Sequence, residues 1–342
     1  MRKLTKPSTA RCTLAIYIFF LLSEPKRATC ARLAKIYSLS HDSVNRFLER
    51  EEYTPYDLWQ TIHSKIVLNG GTLSVDDTVL DKPYSNPLKA KLIDYFWSGK
   101  HKRAVKGLNL ITLYYTDINQ VCVPVNYRIV DKSSGKTKND YFRDMLAEVL
   151  TWGLKPAFIT GDSWYSSLEN LKCVRDHTLG FMFAIECNRL VSIEKGIYVQ
   201  IQSLNFPESG LSLYLKGFGN VKVFRTIFKN ESRYYIMHVP KNYKLNQLTY
   251  HDFKLIHDNH WQIEKFHRAV KQVCNIEHFQ VRTNKAITNH IFCAIRAFVQ
   301  LEFMRVQNII SDWYSIQKNL FLDVIREFIF KSITNQNDAC LT

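Results

Sequence analysis

The sequence predicts an α/β fold built on a mixed sheet, and three observations carry that reading. Residues 72–80 (TLSVDDTVL) alternate apolar and polar side chains, the period of a β-strand. Two more β-rich runs follow, Leu108–Thr116 and Gln120–Val130, with Asp117-Ile118-Asn119 as the turn between them. Helices and short apolar strands then alternate: a helix at Asp140–Trp152 ended by Gly153, the strand PAFITGD at 156–162, a helix at Ser163–His177, and a strand at Leu179–Glu186. The order β-β-β-α-β-α-β describes a mixed sheet flanked by helices.

Composition bounds what such a fold could do. The chain has 342 residues, 46% hydrophobic and 13% aromatic, enough for a sizeable core and too apolar for disorder. A formal net charge of +15 points to a polyanionic partner, with nucleic acid first. The eight cysteines show no C-x-x-C and no Cys/His pairing, the pattern of reduced thiols rather than a disulfide framework or a zinc site. Met1–Arg11 is basic and Cys12–Leu22 apolar, but the charged SEPKRATC that follows offers no small-x-small cleavage site. The run also falls short of the ~20 residues a bilayer demands, so it reads as a buried helix and no membrane partner is expected.

The remaining elements fall into order around the sheet. Residues 1–70 read as helical, and Lys and Arg outnumber Asp and Glu there by 11 to 6. Within residues 28–51, two short amphipathic helices meet at Tyr37-Ser38-Leu39-Ser40, a helix-turn-helix candidate with Asn45 and Arg46 on its outer face. Lys82–Lys106 holds seven Lys/Arg against the single acid Asp94 and reads as a basic loop around the amphipathic piece KLIDYFW, with Lys102, Arg103 and Lys106 as DNA contacts. From Arg189 to Thr249, helical periodicity gives way to short β-like runs, a β-rich insertion. Helices are expected again at His257–Lys271, Asn284–Ile310 and Trp313–Ile333. The expected organisation is a helical N-terminal region (1–70), a first core part (71–188), the insertion (189–249), and a second core part with C-terminal helices (250–342).

Three acids stand out by context. Asp76 lies mid-strand, Asp162 ends a later strand, and Glu264 lies on a helix beyond the insertion. At 3.6 residues per turn, His260, Glu264, Arg268 and Lys271 share one helical stripe, so a carboxylate is flanked by basic groups. Such a stripe alone is most often a solvated face of ion pairs. Three carboxylates drawn from strand and helix are a different matter, because desolvation penalises them unless a cation compensates. Oxygen ligands without soft donors indicate Mg²⁺, with Mn²⁺ as a substitute. Two such ions about 4 Å apart would activate a water or a 3′-hydroxyl and stabilise the leaving oxygen of a phosphodiester.

The motifs DDT on the first strand, GDSWY after a later one, the β-rich insertion, and W-x-I-E-K-F-H-R-x-x-K together resemble a bacterial insertion-sequence DDE transposase. The group it resembles carries the signature Y-x2-R-x3-E-x6-K. The resemblance covers about residues 70–285 and implies a ribonuclease-H-like core. It implies that Asp76, Asp162 and Glu264 are the catalytic, metal-binding acids, with Asp77 the alternative for the first. It also implies that Lys271 holds DNA phosphate, with Arg268 beside it. His257 and His260 stand where the signature has tyrosine and arginine, and would contact DNA without arginine's bidentate fork. The implied activity is Mg²⁺-dependent cleavage at element ends and strand transfer into target DNA. The implied setting is a homodimer on paired terminal inverted repeats, without a small-molecule cofactor, in the bacterial cytoplasm and at the nucleoid when DNA-bound. The runner-up reading is an inactive or domesticated relative that binds DNA.

Overall fold

The computed structural model describes residues 11–24, 29–194, 196–240 and 243–315, together with 324 and 327. In chain order its elements are α1 Leu14–Ser23, α2 Cys30–Ile36, α3 His41–Arg50, α4 Pro55–Ile62, β1 Thr72–Asp81, β2 Asp94–Ser98, β3 Arg103–Thr116, β4 Cys122–Ile129, α5 Lys138–Thr151, β5 Phe158–Gly161, α6 Leu168–Asp176, β6 Gly180–Ile185, β7 Leu190–Ser192, β8 Val199–Gln200, β9 Leu211–Leu215, β10 Gly219–Phe228, β11 Glu231–His238, α7 Tyr250–Gln272 and α8 Asn284–Val306. The chain divides into two compact units, Thr54–His267 and Met1–Tyr53 with Arg268–Thr342.

The first unit holds one mixed sheet, in the order β2-β3-β1-β5-β6-β11-β10-β9-β7-β8, with β4 also pairing β3. β1 is antiparallel to β3 and parallel to β5, and β5 is parallel to β6; the other pairs are antiparallel. β1 therefore has a neighbour on each side, and Leu73, Val75 and Leu80 are fully buried. The α/β fold with a mixed sheet flanked by helices is as the sequence predicts. α4 opens on a capping box between Thr54 and Asp57 with Pro55 in its first turn, and packs on β4.

Two local details differ from the sequence reading. Residues 94–98, expected inside a basic loop, form the strand β2. β3 runs back to Arg103 and offers an edge that Asp94–Ser98 pairs with, while Phe96 is buried and Lys132 bonds the Tyr95 carbonyl at 2.7 Å. The helix expected over 163–177 is split, because two side chains in succession act as caps. Asp162 caps a 3-10 turn at Ser163–Tyr165, and Ser167 then caps α6. The β-rich insertion continues the main sheet, since β11 pairs with β6 from Tyr234↔Ile185 to His238↔Phe181.

In the second unit, α1 and α3 pack on α8. Two asparagines close the open carbonyls of helix ends: Asn275 Nδ2 donates to Leu21 and Glu24, and Asn289 Nδ2 donates to Leu48 and Glu51. α1 buries Tyr17, Ile18, Phe20, Leu21 and Leu22, and Tyr17 hydroxyl meets His290 Nδ1 at 2.8 Å. No described helix is long and apolar enough to cross a membrane. The basic start at 1–10, most of the helix expected at Trp313–Ile333, and Cys340 lie outside the described residues.

Candidate metal centre

The register of β1 and β5 brings two aspartates toward each other. Thr72 pairs with Phe158 and Val75 with Gly161, so one further step along the same parallel ladder sets Asp162 beside Asp76. Gly161 permits this approach: a Cβ there would stand 2.8 Å from the Phe183 ring and 2.9 Å from Val75 Cγ1. Asp162 itself accepts the Trp164 N–H at 2.9 Å.

α7 supplies the remaining groups, and it is pinned to these strands by polar contacts one and two turns earlier. Asn259 Nδ2 donates to Thr72 Oγ1 at 3.1 Å. His260 Nδ1 lies 3.1 Å from Thr160 Oγ1, which donates to Ser74 Oγ at 2.8 Å. Ile263 and Phe266 are fully buried, and the Phe266 ring stacks on Tyr114 with centroids 5.1 Å apart. With that face held, Glu264 remains exposed to solvent and His267 turns inward. One donor atom each from Asp76, Glu264 and His267 lies within 4.8 Å of the others. His267 Nδ1 is 3.4 Å from Asp76 Oδ2, and Asp76 Oδ1 accepts the Asp77 N–H at 2.7 Å.

Asp77 points elsewhere, as its place one residue along a strand requires. Its carboxylate accepts from Asn109 Nδ2 at 2.6 Å, Lys138 Nζ at 2.7 Å and Tyr165 hydroxyl at 3.2 Å. The two adjacent aspartates are thus in opposite situations: Asp77 is saturated by donors, while Asp76 faces another carboxylate and an imidazole.

The electrostatics follow from this crowding. Burial first, then the charge of Asp77, push the Asp76 carboxyl up to about 7, against the pull of the Asp77 N–H and Lys138. Asp162 is also raised to about 7, by desolvation and then by Asp76 and Asp77. Clustered acids that resist ionisation, with an imidazole in reach, form a donor set suited to a hard or borderline divalent cation. Asp76 and Glu264 are brought together. Asp162 shares their field but is not in the 4.8 Å group, and one of its oxygens is engaged by the Trp164 N–H.

Comparison with known families places the chain among transposases. The profile described as "Transposase DDE domain" matches residues 70–299. The chain belongs to that family. Membership implies use of a divalent metal, for which the acid–imidazole cluster is the candidate site. Among solved structures, the piggyBac transposase synaptic complex with hairpin DNA is similar at a TM-score of 0.52 and 13% identity, covering 97% of this chain and 76% of that one. At that identity the likeness speaks for the fold. The Drosophila P element transposase strand transfer complex aligns at a TM-score of 0.27 and 11% identity, over 57% of this chain and 49% of that one. No curated protein matches.

The other residues singled out from the sequence of this DDE-family chain occupy varied settings. His260 is drawn below its usual range to about 4 by burial, so it is neutral and serves as the link to Thr160. His257 is also lowered by desolvation and lies 3.3 Å from the Tyr235 hydroxyl. Lys271 pairs with Glu277 at 3.2 Å, and Arg268 is exposed. Lys102 and Arg103 are exposed and Lys106 half-exposed on β3 and the turn before it, and Arg46 is exposed on α3.

Sequence reasoning missed His267 and Lys138. The spacing Glu-x-x-His, i to i+3 on one helical face, was the available signal for His267. Lys138 carried none, because its approach to Asp77 spans 61 residues.

Proposed function

We propose that this protein is a transposase that cleaves DNA at the ends of a mobile element and joins the freed 3′-hydroxyl to target DNA. The observation that supports this most is the convergence of Asp76 from β1 with Glu264 and His267 from α7, in a family defined by its DDE acids. In this reading Asp76, Asp162 and Glu264 hold Mg²⁺ or Mn²⁺, with His267 beside them. When bound, the cations lower the pKa of the attacking water or hydroxyl and offset charge on the leaving oxygen.

The chain's own groups set the geometry. Asp76 and Glu264, placed on strand and pinned helix, would hold the cations beside which the reacting phosphate sits. Asp77 keeps the Lys138 ammonium at the edge of the site, where it offsets part of the acidic field. Water attacks the phosphorus and the bond to the 3′ oxygen breaks, releasing a 3′-hydroxyl. That hydroxyl then attacks a target phosphorus, and a target 3′ oxygen leaves. Lys271, Arg268, Lys102, Arg103, Lys106 and Arg46, with His257 and His260 nearer the sheet, are the proposed DNA-side residues. They act mainly on the backbone. A homodimer on paired ends belongs to the same proposal.

The test is a nicking and strand-transfer assay on DNA carrying the inverted repeats that flank the gene. Cleavage with Mg²⁺ or Mn²⁺, absent in Asp76→Asn, is expected. Binding without cleavage in either metal would leave the reading of a DNA-binding relative.

A further inference from the structure

The hairpin formed by β2 and the start of β3 carries an aromatic face that the fold leaves uncovered. In its register Tyr95 lies opposite Lys106 and Trp97 opposite Ala104, so these four side chains share one face. Tyr95 is 58% exposed and Trp97 66%. The opposite face anchors the hairpin: Phe96 is buried, with Lys132 Nζ 5.0 Å from its ring centroid. The exposed rings are therefore held on a supported strand. Two residues apart on it, they stand about 7 Å from each other. Ala104 is too small to cover the indole across the ladder.

The rim of this face is basic. Lys102 in the turn and Lys106 on this face form no ion pair among the described residues, whereas Lys100 pairs with Asp81 at 3.8 Å and Arg103, opposite Ser98, belongs to the other face. Apolar rings alone would suit many partners, but rings ringed by unneutralised cations select a polyanion that also offers flat apolar faces. Nucleic acid has both features, and only unpaired bases expose their faces, because in a duplex those faces are stacked. We propose that Tyr95 and Trp97 form a stacking platform for unpaired bases of single-stranded DNA, with Lys102 and Lys106 holding its phosphates.

This rests on DNA being the substrate, as proposed above, and it adds a contact with bases where that reading invoked mainly the backbone. It is tested by fluorescence anisotropy with labelled oligothymidine and with a duplex of equal length, without metal, so that cleavage has no part in the readout. Trp97→Ala is expected to weaken oligothymidine binding about fivefold or more, with duplex binding changed less than twofold. Trp97→Phe, which keeps a ring, should restore most of the loss. The double change Lys102→Glu, Lys106→Glu should weaken both ligands and flatten the salt dependence.

Unchanged oligothymidine binding in Trp97→Ala overturns the proposal. So does an equal loss on both ligands, and so does a loss explained by altered self-association in sedimentation. Asp76→Asn provides the separation from the catalytic reading. If it abolishes cleavage but binds oligothymidine like the wild type, the platform and the metal centre are independent. If nothing cleaves but Trp97→Ala still loses the single strand, the catalytic reading fails and the platform stands.

Discussion

Asp76 and Asp77 are chemically identical neighbours that the fold treats in opposite ways, and substitution should expose the difference. Asp76→Asn removes a charge from a site where it is penalised; Asp77→Asn removes one that Lys138, Asn109 and Tyr165 satisfy. The second change is expected to cost on the order of 1–3 kcal/mol, since the ammonium of Lys138 would face an amide. The first should leave thermal stability equal or higher at pH 8 while abolishing cleavage. Calorimetry beside a nicking assay would check both.

The sign of the pH dependence follows from the same shift. Asp76 titrates near 7 in the fold and near 4 unfolded, so the folded chain holds the extra proton between those values. Its contribution to stability is complete below about pH 4 and is lost as pH rises through 7. A divalent cation, binding the ionised site, should therefore raise the melting temperature more at pH 8 than at pH 6, and Asp76→Asn should abolish that difference. Equal metal effects at both pH values would argue against these acids as the site.

At the scale of elements, the strand–strand and helix–strand contacts decide whether the acids meet. β5 comes close to β1 and β6 at Gly161, where a methyl group would overlap Phe183 and Val75. Gly161→Ala is expected to cost about 1–3 kcal/mol by overpacking and to displace Asp162, lowering cleavage more than DNA binding. Parallel denaturation and binding curves would check this.

These elements are also where sequence reading succeeded and where it stopped. β1, β5 and α7 were legible because a period of two, a short apolar run ending in G-D-S, and a helical stripe are all local signals. β2 was not, because its five residues lie in a stretch whose charge dominates its pattern, and its partner is the unforeseen extension of β3. The turn of His267 toward Asp76 was equally hidden. A helical wheel places it near Glu264, but only the anchoring of α7 by Asn259 and His260 decides which flank of the stripe faces the sheet. The contact of His260 with Thr160, set by a strand a hundred residues away, has no trace in the local sequence either.

For the whole molecule, the formal charge of +15 and the acidic cluster make opposing contributions to DNA affinity, and this separates binding from chemistry. Phosphate contacts by lysine and arginine release counterions, so affinity for duplex should fall with a log–log salt slope of about −0.9 per phosphate neutralised. The aspartates oppose this attraction locally until a cation neutralises them. Asp76→Asn should then bind DNA at least as tightly as the wild type in the absence of metal, with the same salt slope, because it removes a negative charge and no phosphate contact. Adding Mg²⁺ should tighten the wild type more than the variant beyond the general screening both experience. Filter binding across a salt series, with and without the metal, checks this. A variant that binds more weakly than wild type without metal would mean that Asp76 supports the DNA surface itself rather than a cation.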